Sequence, residues 1–397
     1  MAKSIQLSID GTAYDQWTSA EVTRDLKDFS GAFSFTFRDA KRARRSLPFA
    51  TDAAVRELRP GPAVEIRIGR RLVLKGFIER VEPDSGDRQA TIVISGRDLT
   101  GDLIDGAAMT NEAEFFNVKL EEAARRIAAP YGLAVRSEID TGEPFTRYGI
   151  DLAETAFSAI EKGARSRHAL VLSDGVGGLV ITRTGQTRAP VELRYPGNVL
   201  LSRGTFSHEG RYSETIVRGQ GEKAGKARGS AALDSTAEPI GAGDRADGDG
   251  AATEKERKGT VATGRARDGE ITRHRPIVHL ARSKADNVSA QDEADWRMRT
   301  ARAEGEEFTH TVKGHTVNGQ LWTVNQLASV SDAFLGVYRD LLISRVAYRE
   351  DSAGIVTELG YESPEAFDKA PVGDRRTNKA GKTGKRAGPL DGTASAL

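Results

Sequence analysis

Three runs near the N-terminus alternate apolar and polar residues with a period of two. They are Ile5, Leu7 and Ile9, then Phe33, Phe35 and Phe37, then Val64, Ile66 and Ile68. That period sends one face of an extended chain into a core and the other into water. It commits the first hundred residues to strands. The stretch RPGPAVEIRIGRRLVLKG reads as turn, strand, tight turn, strand, with Pro60-Gly61-Pro62 as the opening breaker. GFIERVEPDSGDRQATIVISG adds two strands around a PDSGD turn. Many short strands at close spacing predict a small barrel or sandwich.

The period then changes. Leu120, Ala124, Ile127, Ala128 and Tyr131 fall at helical spacing, and Pro130 with Gly132 ends the run. A second helix is expected near Thr155 to Arg167, with Ala156, Phe157, Ile160 and Ala164 on one face. ALVLSDGVGGLVITR follows as two apolar strands about a Gly-rich turn, the pattern of a hairpin. Strands return from Val191, and a helix is expected near Val288 to Glu304, with Ala290, Ala294, Met298 and Ala301 in register. Between them, residues 219–269 hold only Leu233, Ile240 and Val261 as large apolar side chains and no aromatic. Such a stretch buries too little surface to offset the entropy of ordering it, so a flexible insertion is expected there. Strands resume through about Tyr361, and the Gly-rich basic tail from Lys369 is expected to be flexible.

The two strand-rich regions carry a loose internal repeat. GFIERVEPDSGDRQATIVISG around Ile78 and LLISRVAYREDSAGIVTELG around Ile343 share Ile-x-Arg-Val, a polar turn with Gly, and a β-rich strand. Upstream, AVEIRIGRRLVLKG stands opposite LASVSDAFLGVYRD, each a strand, a short turn and a strand. The expected map is a first β unit at 1–106 and a small α+β unit at 107–190. A second β unit follows at 191–363 with the insertion at 219–269, and then a basic tail at 364–397.

The chemistry-bearing residues point away from catalysis. The 397 residues include no cysteine, which excludes disulfides, Cys-ligated zinc, iron–sulfur clusters and thiol nucleophiles. The net charge of +1 supplies no global field toward nucleic acid or anionic lipid. MAKSIQLSIDG lacks the apolar core of a signal peptide, and no window has the apolar length that spans a bilayer, so a soluble protein made in the cytoplasm is expected. NKAGKTGK, Asn378 to Lys385, fails the phosphate-loop spacing because Arg376 stands where a Gly is required. GQGEKAG at Gly219 fails the dinucleotide spacing. DRADGDGAATEKE has Ala251 where a calcium loop needs a third oxygen ligand. The pairs His274/His279 and His310/His315 are each five apart, a separation that points strand side chains to opposite faces. The four cations of Asp39 to Pro48 lack the interleaved aromatics of a single-strand-binding surface. No catalytic, cofactor-binding or metal-ligating residue is nominated, and no cofactor is expected. VNGQLWTVNQLASVSD, Val317 to Asp332, is apolar, has no Cys, His or Lys, and closes on its one acid.

Order of motifs supplies a more specific reading. Arg275-Pro276 precedes a strand, and a helix with Trp296, Arg297 and Arg299 follows. Then come Val312-Lys313-Gly314 and Gly319-Gln320-Leu321-Trp322-Thr323-Val324-Asn325. VKLEEAARRIAAPYGLAV, DLAETAFSAIEKGARSRHALVLSDGVGGLVITR and GPAVEIRIGRRLVLKGFIERV fit upstream. Over most of residues 1–365 this resembles the central baseplate hub proteins of Mu-like contractile phage tails, the late control protein D and tail protein P family. The resemblance implies a mixed α+β, mostly β fold, with two related β-barrel-like domains, a small α/β domain inserted between them, and no catalytic residues to carry over. VNGQLWTVNQLASVSD then belongs to a barrel wall, with Trp322 in plain core. The implied function is structural: a homotrimeric ring joining the tail tube to the central spike, contacting other baseplate proteins. It leaves a channel through which DNA passes without specific binding, and it enters no membrane. The alternatives are a tail-associated cell-wall hydrolase and the hub-like part of a secretion-system spike. The implied location is the virion tail baseplate, assembled in the host cytoplasm.

Overall fold

The computed structural model describes residues 3–39, 59–85, 90–220, 261–281 and 287–367. The first region holds seven strands: β1 (Ile5–Ile9), β2 (Thr12–Tyr14), β3 (Ser19–Asp25), β4 (Ala32–Asp39), β5 (Ala63–Ile68), β6 (Arg71–Ser85) and β7 (Ala90–Asp98). Helix α1 (Gly101–Asp105) leads into a compact unit of β8 (Glu114–Val118), α2 (Leu120–Ala128), β9 (Ala134–Ser137), β10 (Phe145–Gly149), α3 (Ala156–Ser166), β11 (Leu170–Ser173) and β12 (Gly178–Thr182). The chain returns through β13 (Thr187–Arg188), β14 (Leu193–Tyr195) and β15 (Val199–Phe206). It then builds β16 (Glu214–Gln220), β17 (Val261–Arg267), β18 (Pro276–Leu280) and α4 (Asn287–Glu304). The last strands are β19 (Glu306–Lys313), β20 (Thr316–Val317), β21 (Gln320–Leu321), β22 (Gln326–Asp332), β23 (Val337–Asp351) and β24 (Gly354–Glu362).

The alternating residues behave as their period requires. Ile5, Leu7 and Ile9, Phe33, Phe35 and Phe37, and Val64, Ile66 and Ile68 are all buried in one core. That core also takes in Phe308, Trp322, Ile343, Val346, Tyr348 and Tyr361 from the far end of the chain. The fold is mostly β, and its two barrel-like halves do not close separately. Fourteen strands form one sheet whose main path is β15-β19-β24-β23-β3-β4-β7-β6-β5-β1-β2, with β22 branching from β23 to meet β13 and β14.

This path makes the internal repeat visible. The first half runs β1-β5-β6-β7-β4-β3 and the second runs β14-β22-β23-β24-β19-β15, the same order of pairing. Each half has one long central strand, β6 or β23, of 15 residues. Each long strand carries a bulge at the same place in the shared sequence. On β6 the register slips between Ile78, opposite Gly96, and Arg80, opposite Ser95. On β23 it slips between Ile343, opposite Tyr361, and Arg345, opposite Gly360. The Ile-x-Arg-Val motif is therefore a bulge, with Glu79 and Ser344 as its extra residues. A bulge bends a strand and raises its twist, which curls a sheet toward a barrel. One difference separates the halves: β1 pairs antiparallel with β5, whereas β14 pairs parallel with β22.

The halves join where β3 pairs antiparallel with the far part of β23, from Arg345 opposite Asp25 to Glu350 opposite Ala20. Val22, Val346 and Tyr348 bury their side chains at this seam. At about 1.5–3 kcal/mol per fully buried apolar side chain, they make the seam a cohesive part of the fold. On its other face Glu21 pairs with Arg349 at 3.2 Å and Arg345 at 3.7 Å, and Glu358 pairs with Arg349 at 2.7 Å. Glu350 accepts from the Ser4 and Ile5 amides at 2.9 and 2.8 Å, which ties the start of β1 to the end of β23.

The intervening unit has its own core, in which α2 and α3 pack over Leu179 and Ile181. Thr155 caps α3 by accepting from the Ser158 amide at 3.2 Å. Gly132, at φ +69°, takes the left-handed turn that stops the α2 run. Residues 261–267, inside the stretch expected to lack structure, form β17 and pair with β16 from Gln220 opposite Val261 to Glu214 opposite Arg267. The physical reason is small-residue packing. Ala262 and Ala266 bury against Ala290 and Ala294 of α4, an interface that needs no large apolar side chain. At Gly264 a Cβ would lie 2.1 Å from the Ala290 carbonyl oxygen, so the sheet–helix approach requires glycine there. The remainder of the insertion, 221–260, and the tail from 368 lie outside the described residues.

Asp98, at the end of β7, fixes the first half to the middle unit. It is buried and accepts from Ser30 Oγ at 2.8 Å, the Gly31 amide at 2.8 Å, the Thr100 amide at 2.9 Å and Ser173 Oγ at 2.7 Å. Replacing it with alanine strands several buried donors at once. Asp98→Ala is expected to lower unfolding stability by about 3 kcal/mol in urea titrations, and Ser173→Ala by about 1 kcal/mol. Equal losses for the two variants would show that Asp98 is not the shared acceptor.

Candidate assembly surfaces and the buried polar sites

Among the described residues one grouping resembles a hydrolytic triad, and its hydrogen bonds run in a different order. His310 of β19 and Asp332 at the end of β22 are fully buried, with His310 Nε2 2.9 Å from Asp332 Oδ2. Ser202 of β15 donates to that same carboxylate oxygen. A nucleophilic serine must give its proton to the histidine, with the carboxylate behind the ring. Here the carboxylate is in the middle and the serine bonds it directly. Asp332 Oδ1 also accepts from the Phe334 and Leu335 amides, both at 2.8 Å, so the group is a clasp for the turn between β22 and β23. Burial pushes the Asp332 carboxyl up, but its hydrogen bonds from Ser202, Leu335 and His310 outweigh burial and hold it below the usual range. Burial pushes His310 down, and Asp332 only partly offsets that.

The histidine pairs do not follow the opposite-face expectation. Only one member of each pair lies in a strand: His310 in β19 and His279 in β18. Gly314 turns the chain at φ +77°, and His315 then folds inward, buried beside Thr357 Oγ1 at 3.3 Å. Among the described residues no cluster of three or more His, Asp or Glu has metal-binding geometry. The cationic run after Asp39, the DRADGDGAATEKE stretch and Asn378 to Lys385 lie outside the described residues. Gly219, which opens GQGEKAG, is a β16 residue opposite Ala262 and opens no helix.

VNGQLWTVNQLASVSD is wall and joint. Trp322, Ala328 and Val330 are buried in the main core, and the Trp322 carbonyl accepts from the Tyr348 hydroxyl. Asn325, at φ +64°, donates Nδ2 to the Arg183 carbonyl and accepts the Gly185 amide on Oδ1, both at 2.9 Å, so this stretch also anchors the exit of the middle unit. A cleft of about 790 Å³ opens between the β3–β4 turn, α3, β11 and the last turn at Phe367. Inside it Lys27 pairs with Glu362 at 2.8 Å, and burial pushes the Glu362 carboxyl up despite that partner.

What the described surface does offer is apolar side chains and open strand edges. Leu200, Leu201 and Phe206 of β15 are exposed, as are Phe334 and Tyr338 at the turn below it. β15 pairs only with β19 among the described strands. β18 exposes Val278 and Leu280 at the edge of its three-stranded sheet. Met109, Phe116 and Leu152 are exposed on the middle unit. Clustered apolar exposure beside unpaired strand edges is the signature of protein–protein contact. Single-sequence reading missed this because an edge strand and an interior strand share the same alternation. The buried carboxylates Asp98 and Asp332 were missed as well. The signal that Asp332 gave was its place as the single acid closing an apolar segment.

His315 makes the stability of the second half pH-dependent. Burial lowers its pKa from 6.5 to about 4. A histidine held neutral in the fold contributes fully above pH 6.5, and the contribution is lost as pH falls from 6.5 toward 4. Between pH 7.5 and pH 5 the wild type is expected to lose about 2 kcal/mol more than His315→Gln in urea unfolding. Parallel pH profiles for the two proteins would contradict this.

Three family models match successive segments. They are the N-terminal domain of Mu phage baseplate assembly protein GpP-like proteins at 4–98, the second domain of baseplate hub protein gp44-like proteins at 100–183, and the fourth domain of Mu phage baseplate assembly protein GpP at 286–370. Baseplate hub protein gp44 of Escherichia phage Mu is 31% identical over 392 residues, covering 96% of this chain and 93% of that protein. The 43 kDa tail protein of prophage MuSo2 from Shewanella oneidensis superposes with a TM-score of 0.72 at 26% identity, covering 91% of this chain and 99% of that one. A tail protein from Neisseria meningitidis MC58 shares the fold, with a TM-score of 0.65 at 19% identity over 93% of this chain and 99% of that one. Identity of this extent, running through both β halves and the unit between them, means that the chain belongs to the family of Mu-like phage baseplate hub proteins and is a structural hub component.

Proposed function

We propose that this hub acts as a homotrimer at the virion tail baseplate, between the tail tube and the central spike. The observation that carries the reading is the repeat of strand order in β1-β5-β6-β7-β4-β3 and β14-β22-β23-β24-β19-β15 within one sheet. A chain of two like halves presents six similar units when three copies form a ring. Such a ring keeps only true threefold symmetry, so it matches a sixfold tube on one side and a threefold spike on the other. The centre of the ring is a channel through which DNA passes without sequence-specific contact, consistent with a net charge of +1. The domain map in this reading is two hub domains, at 1–106 and 191–363, around a middle domain at 107–190, with a terminal tail from 364.

The same reading assigns no catalysis. The buried Ser202, Asp332 and His310 are wired as a clasp, with the carboxylate between the hydroxyl and the ring. No helix among the described residues is long and apolar enough to cross a membrane. Assembly is placed in the host cytoplasm, before the particle leaves the cell, and the partners are the tail tube protein, the central spike protein and neighbouring baseplate proteins.

Light scattering on the purified chain, alone at high concentration and with tube and spike proteins added, is expected to give three times the 42.8 kDa chain mass for the hub. A monomer or dimer under all of these conditions would overturn the trimeric reading. Peptidoglycan hydrolysis lost on a single acid or histidine substitution would overturn the non-catalytic one.

A further inference from the structure

Three parts of the chain wall the cleft of about 790 Å³. They are the β3–β4 turn at Asp28 and Phe29, the middle unit at Phe157 and Leu170, and the second half at Glu304 and Glu362. The inner wall is apolar. Phe29 stacks on Phe157 with ring centroids 4.1 Å apart, and Phe367 packs against Leu26, Leu170 and Leu342. The outer edge is acidic. Asp28 and Glu304, with Glu307 beside them, are exposed and form no ion pair among the described residues. The two cations that line the cleft are already held, Arg97 by Glu79 at 2.8 Å and by Asp105, and Lys27 by Glu362.

Glu362 is 3% exposed, yet its carboxylate is only half used. Oε1 takes the Lys27 ammonium at 2.8 Å, while Oε2 is shut from solvent with no hydrogen-bond donor among the described residues. Burial, reinforced by Glu307, pushes this carboxyl up, and Lys27 and Ser344 offset only part of the rise. A buried acid with an unused oxygen is costly, and a second donor relieves it. Helix α4 adds to the demand. Its 18 residues end at Glu304, so an acid stands where the helix C-terminus already carries partial negative charge and favours a cation. Ammonium or guanidinium groups on apolar stems fit both the acidic edge and the apolar wall.

Such groups follow directly in the chain. The turn Pro364–Phe367 packs against α4 and leaves Phe367 in the wall of the cleft. Thirty residues follow, with seven Lys or Arg against three Asp, and they begin Asp368-Lys369-Ala370-Pro371-Val372-Gly373-Asp374-Arg375-Arg376. We propose that the cleft seats this segment of its own chain, residues 369–376, with Val372 toward the Phe29–Phe157 pair and the cations toward Glu362, Glu304 and Asp28. At about 3.3 Å per residue an extended run from Phe367 to Arg376 reaches about 30 Å, enough to pass along the cleft. Because the segment is tethered at the cleft, its effective concentration there is about millimolar, so ion pairs that are individually weak suffice. A basic segment of another protein would have to find the same acids from free solution. Seated in this way, the segment straps together the first half, the middle unit and the end of the second half, the three parts that wall the cleft.

Hydrogen exchange read by mass spectrometry on the full-length chain tests this. In the wild type the amides of 369–376 are expected to exchange about tenfold more slowly than an unstructured chain of the same sequence, and equally so after dilution. Glu362→Gln is expected to remove most of that protection. Glu304→Lys, at an exposed helix end where folding is not at stake, is expected to do the same. So is Arg375→Glu with Arg376→Glu, a change that leaves every described contact intact. Combining that reversal with Glu304→Lys is expected to restore part of the protection. Exchange of 369–376 at the unstructured rate in the wild type would overturn the proposal. So would protection that survives both Glu304→Lys and the arginine reversal. Protection lost on dilution would overturn it in favour of the tail of a second copy. Slowed exchange in the β3–β4 turn that appears only when baseplate proteins are added, with 369–376 still at the unstructured rate, would overturn it in favour of a basic segment of a partner.

Discussion

The antiparallel pairing of β3 with the far part of β23 is the contact on which the rest of the molecule depends. It joins residues more than three hundred positions apart and makes one sheet from two halves. Its apolar face buries Val22, Val346 and Tyr348 in a core shared by both ends of the chain. Its polar face carries the Glu21, Arg345, Arg349 and Glu358 ion pairs. Partly exposed pairs of this kind contribute little stability singly. Their more important consequence is register, because a one-residue slip would exchange the two faces. A contact of such high sequence separation is also slow to form, since the loop-closure entropy must be met before the pairing returns anything.

The middle unit is held to this frame at two buried polar points. Asp98 gathers the β3–β4 turn and Ser173 of β11, and Asn325 gathers the backbone of Arg183 and Gly185 as the chain leaves the unit. A third clasp, Asp332 with Ser202 and His310, fixes β15 to the turn that bears Phe334. Each joins segments distant in sequence through an acid or amide satisfied on several sides. Directional bonds of this sort specify an arrangement more sharply than apolar contact does. A protein whose product is geometry gains from that specificity, and the same groups that in another fold would be suspected of chemistry are consumed in holding strands.

Much of this organisation was legible in the residues. The period-two runs marked β1, β4 and β5, the 3.6-residue spacing marked α2 and α3, and Ile-x-Arg-Val marked the matched bulges of β6 and β23. Three features were not legible, for physical reasons. β17 packs against α4 through alanines and a glycine, so its core has no large apolar signature. His310 and His315 both turn inward because Gly314 reverses the chain, and a face argument based on spacing assumes a straight strand. The edge of β15 looks like an interior strand in sequence, because the difference lies in what does not pair with it among the described strands. The family resemblance supplied the two-halves reading that local patterning could only suggest, and the comparisons established membership.

The central claim is that a chain of two like halves builds a ring of six similar units from three copies. A single-particle electron-microscopy reconstruction of the assembled full-length chain, refined without imposed symmetry, tests this most directly. The account predicts a closed ring of three chains with a central channel. Six similar lobes should surround it, two from each chain, joined within the chain along β3–β23. A ring lacking the central hole, or three chains meeting through the middle units alone, would contradict it.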